Sequence, residues 1–213
     1  MIKVDEYYTK YSEIPLLEKE TYYQQIYIFL KWLNFEYPGF RDWYDSLFKK
    51  NKELRYGREI IICEKEYSIA GIAILKSTED EQKICTLRVA KKYQRQGIGK
   101  RLMEMSFEWL RNDKPLMTMR GTKQHQFVHL LEYYGFELEQ KNKNYYNLFS
   151  TELVYNGVLP VKQILFNRID LLDYDLFYKK YILKDRYEQT LWDNGYIYCK
   201  FIQEQIRRFA IVK

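Results

Sequence analysis

A glycine-rich turn surrounded by basic residues is the segment whose residue types and spacing could do chemistry. Residues 83–89 before it form a β-rich run, and apolar residues at helical spacing follow it. A strand, a glycine turn and a helix in this order gather several backbone N–H groups and the positive end of a helix dipole in one place. Such a place attracts a phosphate or pyrophosphate group. The residues of the turn are Gln94, Arg95, Gln96, Gly97, Ile98, Gly99, Lys100 and Arg101.

The two glycines of the turn suit this task, because a residue without Cβ tolerates positive φ and lets the backbone approach a ligand. Two glycines alone also fit a tight strand-to-helix connection with a solvated basic rim. Spacing excludes two other phosphate loops. A Walker loop has Ser or Thr after its lysine, whereas Arg101 follows Lys100, and a dinucleotide fingerprint has a third glycine where Leu102 stands.

The turn and its surroundings resemble the Gcn5-related N-acetyltransferase (GNAT) family, whose pyrophosphate loop reads Gln/Arg-x-x-Gly-x-Gly/Ala. Gln94, Gly97 and Gly99 fit that pattern without departure. The run Leu87-Arg88-Val89 stands where the family has its Leu-x-Val strand end. Downstream, Gly135-Phe136 matches the signature that closes one helix and opens the next strand. The resemblance covers roughly residues 58–150.

The resemblance implies acetyl-CoA as co-substrate, no metal, and direct attack of a primary amine on the thioester without an enzyme nucleophile. It places the pantetheine along residues 87–89 and the pyrophosphate at the backbone of residues 96–101. His125 occupies a position where the family often has asparagine, so it is a further cofactor-binding candidate; a surface histidine at a helix start is the alternative. The implied cofactor-binding residues are Leu87, Arg88, Val89, Gln94, Arg95, Gln96, Gly97, Ile98, Gly99, Lys100, Arg101 and His125.

The catalytic residues are where this chain departs from the family. The proton donor for the CoA thiolate is often a tyrosine four residues before the glycine of the Gly-Phe pair, and Leu131 stands there. Tyr134 lies on the same face of the predicted helix and is the candidate catalytic acid; a packing tyrosine is the alternative. A charged amine must also lose a proton, yet residues 84–89 contain no Asp or Glu, which leaves a water relay open.

Two functions follow from this pattern. The first is a working N-acetyltransferase whose acceptor is a small-molecule amine, a peptide terminus, a lysine or an aminoacyl-tRNA. The second is a catalytically weak acyl-CoA-binding module that interacts with a partner through its C-terminal region.

Hydrophobic patterning predicts an α/β, or mixed α+β, fold with a central mixed, mostly antiparallel sheet flanked by helices. The predicted strands at residues 84–89 and 115–119 are expected to be parallel, with a right-handed crossover between them. The predicted helices are residues 16–33, 40–48, 97–111 and 122–134, and the other predicted strands are 58–63, 68–75, 136–140 and 145–150.

The pattern divides the chain into residues 1–154, a GNAT-like domain, and 155–213, an extension of unknown role. The extension carries apolar residues at helical spacing in 167–184 and 197–211. Because such residues are costly to leave in water, we expect it to dock on the core or at an interface, a second copy of the chain being one candidate.

Composition limits the class of protein. Apolar residues make up 46% of 213 residues, and no run of about 18 apolar residues predicts a membrane span. The start of the chain lacks a signal-peptide core, and the three cysteines, Cys63, Cys85 and Cys199, have no Cys-x-x-Cys pair. Both features favour the cytoplasm, and with two histidines a metal site is not expected. The net charge of +6 includes no long basic run, so we ascribe the basic cluster to an anionic cofactor, with nucleic acid as the less favoured interpretation.

Overall fold

The computed structural model describes residues 6–37, 39–146 and 150–160. Residues 6–31 and 42–159 form one compact unit, which contains the sheet. Residues 32–41, with the short helix α2 (Leu33–Glu36), belong to a second unit. The predicted C-terminal helices lie outside the described residues.

The sheet has seven strands in the order β1-β2-β3-β4-β5-β7-β6. Every described pairing is antiparallel except that of β4 with β5, which is parallel. A mixed, mostly antiparallel sheet flanked by helices was predicted from the sequence and is confirmed. The strands are β1 (Glu6–Lys10), β2 (Arg58–Lys65), β3 (Ser68–Ser77), β4 (Gln82–Val89), β5 (Leu116–Arg120), β6 (Leu138–Lys143) and β7 (Thr151–Tyr155).

The other helices are α1 (Lys19–Leu30), α3 (Phe40–Ser46), α4 (Ile98–Leu110) and α5 (Gln124–Tyr133). Residues 16–33, predicted as one helix, are a 3₁₀ turn, α1 and the beginning of α2. The apolar stripe of α1 is nevertheless buried as expected, at Tyr23, Ile26 and Leu30.

The last strand was predicted wrongly. Residues 145–150 were expected to form a strand, but the described residues 145, 146 and 150 are outside any strand and β7 begins at Thr151. Residues 147–149 lie outside the described residues. Asn144 adopts φ 58°, and its N–H donates to the Ser150 carbonyl at 2.7 Å. Residues 144–146 and 150 therefore lie outside the strands β6 and β7. Adjacent tyrosines have high strand propensity, which is why the sequence suggested a strand there.

The sheet separates two apolar layers. On one face, α4 and α5 cover residues from β2 to β7, including Ile61, Leu75, Leu87, Met117 and Leu153. Side chains alternate along a strand, so the neighbouring buried residues of β2 and β3 face the other way. On that second side an aromatic group of Tyr11, Tyr23, Tyr44 and Phe48 has ring centroids 5.0–5.4 Å apart. With both faces of the central strands buried, the positions at their carboxyl ends are rigidly held.

Candidate functional site

The parallel strands β4 and β5 pair over a short length and then separate. Their register contains Lys83 opposite Leu116 and Ile84 opposite Met117. Beyond these pairs, and among the described residues, 86–89 of β4 pair with β3 alone and 118–120 of β5 pair with β7 alone. The backbone edges of the two strands therefore face an opening at their carboxyl ends. We call this opening the β4/β5 cleft; it is the arrangement that the resemblance implied for a pantetheine chain.

The amino end of α4 lies at the end of β4, where a phosphate group was predicted to bind. Gly97 is the N-cap of this helix, with φ 90° and ψ −17°. Within the part of the chain that the structure describes, the first N–H of α4 to be hydrogen-bonded is that of Arg101, which donates to the Gly97 carbonyl at 3.0 Å. The N–H groups of residues 98–100 are thus the donors that a helix leaves without an internal acceptor. With the helix dipole they form a site for an anion.

Side chains of the turn hold it against the strands. Gln94 Nε2 donates to the Val89 carbonyl at 3.2 Å, which ties the first residue of the motif to the end of β4. The buried Tyr93 donates through its hydroxyl to Glu66 at 2.7 Å, in the β2–β3 turn. Gln96 is held in turn by Lys65, whose Nζ donates to Gln96 Oε1 at 3.1 Å. The turn that was predicted to bind a phosphate is therefore held in place by the fold.

The two glycines of the motif have different tasks. Gly97 needs positive φ, and a Cβ placed on it would meet nothing within 4 Å. Gly99 is an ordinary helical residue, whose added Cβ would lie 3.5 Å from Leu130 of α5 and 3.7 Å from Val89 of β4. Both glycines were expected to tolerate positive φ and to let the backbone approach a ligand. Positive φ is found at Gly97 and not at Gly99. Gly99 instead lies where α4, α5 and β4 meet.

Several of the basic side chains near the turn already have partners. Lys92 pairs with Glu66 at 3.3 Å, and Nη1 of Arg101 lies 3.7 Å from Oε2 of Glu104. Lys100 Nζ donates to the Tyr133 hydroxyl at 3.0 Å, and this hydrogen bond raises the pKa of Lys100, which stays cationic. Exposed ion pairs of this kind contribute little to stability. Their positive charges remain available to an anion at the turn.

Residues 87–89 alternate between the two faces of the sheet. Leu87 belongs to the core beneath α4 and α5, and Val89 packs against the same core beside Gly99. The side chain of Arg88 lies on the opposite face, where its guanidinium carbon is 5.6 Å from the ring centre of Phe29 in α1. Only the backbone of Arg88 is thus placed along the predicted pantetheine path.

Tyr134 is the C-cap of α5, and both acceptors within reach of its hydroxyl belong to α4. These are the Glu104 carboxylate at 3.3 Å and the Lys100 carbonyl at 3.5 Å. Its ring packs edge-on against Phe107, with centroids 5.0 Å apart. Burial, and next the Glu104 charge, raise the pKa of Tyr134 to about 12, so the hydroxyl keeps its proton at neutral pH. These contacts tie α4 to α5; the role of Tyr134 as proton donor stays a prediction.

The other two positions of interest on α5 differ in exposure. Leu131, where the family often has its tyrosine, is buried in the core shared by α4, α5 and the sheet. His125 is exposed in the first turn of α5. Its assignment to the cofactor stays a prediction as well.

Arg120, the last residue of β5, was not among the predicted site residues. It stands at the edge of the β4/β5 cleft, and its Nε is buried with no hydrogen-bond partner among the described residues. The signal was present in the sequence, because a charged residue directly follows the predicted strand 115–119.

The described thiols and grooves lie apart from this chemistry. Burial raises the pKa of Cys63 to about 11 and raises that of Cys85, so both thiols are protonated at neutral pH.

A groove of about 460 Å³ lies between the α5–β6 connection and the end of β7, lined by Lys114, Gly135 and Asn156 among others. It contains no predicted site residue. Within the described ranges, no group of three or more His, Cys, Asp or Glu side chains is disposed to hold a metal, and none of the helices could cross a membrane.

Comparison with known families identifies the class of protein. A family model described as an acetyltransferase (GNAT) domain matches residues 36–148, which is more than half of the chain. The chain belongs to the GNAT acetyltransferase family. The activity that the family implies is acetyl-CoA-dependent acyl transfer.

Solved structures resemble this chain at low sequence identity. A GNAT-family protein from Desulfovibrio desulfuricans is 16% identical with a TM-score of 0.51, over 71% of this chain and 97% of that one, and supports the fold. The ribosomal-protein-S18-alanine N-acetyltransferase of Escherichia coli is 15% identical with a TM-score of 0.49, over 73% and 97%. A GNAT acetyltransferase from Elizabethkingia anophelis, solved with acetyl-CoA bound, is 18% identical with a TM-score of 0.42, over 58% and 90%. No curated protein sequence matches this chain.

Proposed function

We propose that this protein transfers the acetyl group of acetyl-CoA to a primary amine by direct attack on the thioester. The observation that carries the proposal is the position of the first N–H groups of α4 at the end of β4, beside the β4/β5 cleft. The N–H groups bind the pyrophosphate, and the cleft receives the pantetheine. The acetyl carbonyl then lies between the two separated strands.

The reaction needs little covalent chemistry from the protein. The neutral amine nitrogen attacks the thioester carbonyl, the C–S bond breaks, and an amide and CoA thiolate are formed. The amine gives up a proton and the thiolate takes one. Water is the candidate acceptor for the amine proton, because residues 84–89 of β4 contain no carboxylate. For the thiolate, the sequence made Tyr134 the candidate donor, and the hydrogen bonds of its hydroxyl to α4 favour water in that role instead.

A second function is favoured by one observation. The family's usual tyrosine position is occupied by the buried Leu131, which is what a binding module with weak catalysis would show. Such a module would bind acetyl-CoA and release little CoA in the presence of any amine. The aminoacyl-tRNA acceptor, a homodimer and cytoplasmic location stay predictions beside both functions.

Release of CoA thiol from acetyl-CoA across a panel of amines tests the proposal, with mass spectrometry of the acceptor to identify the acetylated atom. We expect saturable, amine-dependent thiol release. Micromolar binding of acetyl-CoA without amine-dependent release would establish the second function instead, and failure to bind acetyl-CoA would overturn both.

A further inference from the structure

Two arginines flank the β4/β5 cleft on the face opposite α4 and α5. Arg88 is opposite Ile72 in the β3–β4 register, and its guanidinium lies over Phe29 of α1. Arg120 is opposite Glu152 in the β5–β7 register. Since the adjacent Met119 faces α4 and α5, strand alternation directs Arg120 to the other face. One arginine thus stands on each of the two strands that separate.

Several cations of the sheet and the turn are paired with a carboxylate, whereas these two guanidiniums are not. Lys76, Lys92 and Arg101 each have a carboxylate within 4 Å. Among the described residues, neither Arg88 nor Arg120 has an ion pair or a side-chain hydrogen bond, and Nε of Arg120 is fully buried. A buried donor without an acceptor is uncommon and costs stability, and more so when the group is charged. A ligand oxyanion can supply the acceptor for this donor, and it must then bind beside the buried carboxylate of Glu152, which stands opposite Arg120 on the same face of the sheet.

The chemistry of that ligand follows from the guanidinium. Arginine presents its N–H donors in a planar fork that matches the oxygens of a carboxylate or a phosphate. Two such forks beside one cleft hold an oxyanion more firmly than either alone. On the α4 side the anion of acetyl-CoA already has its own site at the helix terminus. The arginines therefore face the side from which the acceptor enters.

We propose that the acetyl acceptor is a small amine that carries an oxyanion group, and that Arg88 and Arg120 bind this group while the amine points into the β4/β5 cleft. The inference rests on the proposed acetyl transfer for its reaction. The binding of an oxyanion at the arginines can be measured without turnover. Carboxylate and phosphate are the two sources of such a group, and separate probes distinguish them.

Matched pairs of amines test the proposal. The carboxylate pair is β-alanine and β-alaninamide, together with the proteinogenic amino acids and their amides. The phosphate pair is O-phosphoethanolamine and ethanolamine. For each pair kcat/KM is measured with saturating acetyl-CoA, and Kd is measured by calorimetry with the CoA-saturated protein. We expect one class of oxyanion to be preferred over its neutral counterpart by at least about tenfold, or roughly 1.4 kcal/mol.

Three variants separate this role from a structural one. Arg120→Gln and Arg88→Gln should each remove most of the preference while the Kd of acetyl-CoA changes less than about twofold, and Arg120→Lys should restore part of it. Arg111→Gln is the matched control, since Arg111 is exposed at the opposite end of α4 from the turn. This control should keep the preference.

The outcomes decide the two proposals separately. The oxyanion site is overturned if kcat/KM is equal for the charged and neutral amines of each pair. It is also overturned if the arginine variants lower kcat/KM equally for both amines. Where no amine is acetylated, calorimetry of the oxyanion probes decides the site without turnover. Binding to the wild type that is at least about tenfold tighter than to Arg120→Gln would support the oxyanion site while the transfer reaction fails. Equal binding to both proteins, or no binding to either, would overturn the site as well.

Discussion

The two sides of the β4/β5 cleft are built from different parts of the polypeptide. On the α4 side the proposed anion site consists of backbone N–H groups at a helix terminus, shaped by Gly97. On the opposite side the proposed acceptor site consists of two side chains, those of Arg88 and Arg120. A backbone site depends on turn geometry, which a short motif specifies, whereas a side-chain site depends on which residue each strand presents. The first can be shared by distant relatives, and the second is free to differ with the acceptor.

Gly99→Glu is expected to have the largest effect on the backbone side. The new side chain would start from a Cβ between Leu130 and Val89 and bring a carboxylate next to the turn where the pyrophosphate is predicted to bind. Both its size and its charge oppose binding. We expect the Kd of acetyl-CoA to rise by more than tenfold, about 1.4 kcal/mol or more, measured by calorimetry.

Gly99→Gln is the control that separates charge from size, and circular dichroism would verify that each variant is folded. A folded Gly99→Glu protein with unchanged acetyl-CoA affinity would remove the turn from the binding site. The α4 side of the cleft would then have no backbone site for the cofactor to set against the arginine side chains on the other side.

The backbone side was also the part most open to prediction from sequence. Gln94, Gly97 and Gly99 defined the turn by spacing, and hydrophobic periodicity placed β4, α4, β5 and α5 around it. The spacing did not reveal that Gln94 bonds the Val89 carbonyl, because this contact depends on how the turn folds back on the strand.

The side-chain part was harder to predict. Arg88 and Arg120 share a face of the sheet because of strand alternation and of the β3–β4 and β5–β7 registers. The β5–β7 register could not be predicted, because the last strand was placed at residues 145–150. Strand β1 was missed because its residues are exposed or half-buried at the sheet edge and show no apolar alternation. Registers and edge strands are tertiary properties, and local patterns carry little information about them.

Gly97→Ala and Gly99→Ala test whether the two glycines differ as the structure shows. Because Gly97 adopts φ 90°, alanine there should destabilise the protein by about 1–2 kcal/mol. In the Gly99→Ala variant the new Cβ would make ordinary contacts, and alanine favours a helix, so that variant should keep or raise stability. Urea unfolding of both variants gives the comparison. Equal destabilisation would show that the conformation of Gly97 is not what shapes the anion site.

Tyr134→Phe tests whether the α4–α5 contacts also reach the reaction. A proton donor would lower kcat by roughly 10²-fold on removal. Because both acceptors of the hydroxyl belong to α4, we expect instead a loss of about 1 kcal/mol in unfolding free energy and a kcat within about twofold of the wild type. Steady-state kinetics and urea unfolding measure the two effects. A loss of kcat on the order of a hundredfold at unchanged stability would make Tyr134 the acid, and Leu131→Tyr should then add nothing to the rate.

The smallest effect we expect is a loss of stability at alkaline pH, to which tyrosines on both sides of the sheet contribute. Burial and the Glu104 charge raise the pKa of Tyr134 to about 12, and burial with nearby carboxylates raises the pKa of Tyr145. A raised pKa means that the folded state holds its proton more firmly than the unfolded chain, whose tyrosines titrate near about 10. The stabilisation is therefore complete below about pH 10 and is lost as the pH rises toward about 12.

Urea unfolding of the wild type and Tyr134→Phe at several values between about pH 8 and 11 measures this dependence. The difference in unfolding free energy between the two proteins should be constant up to about pH 9.5 and then decrease, because only the wild type loses the contribution of Tyr134. For Tyr145→Phe, on the other side of the sheet, the difference in unfolding free energy from the wild type should likewise decrease at alkaline pH. A difference independent of pH would show that the Tyr134 hydroxyl is solvated in the folded protein, and the contact between α4 and α5 would then depend on its ring alone.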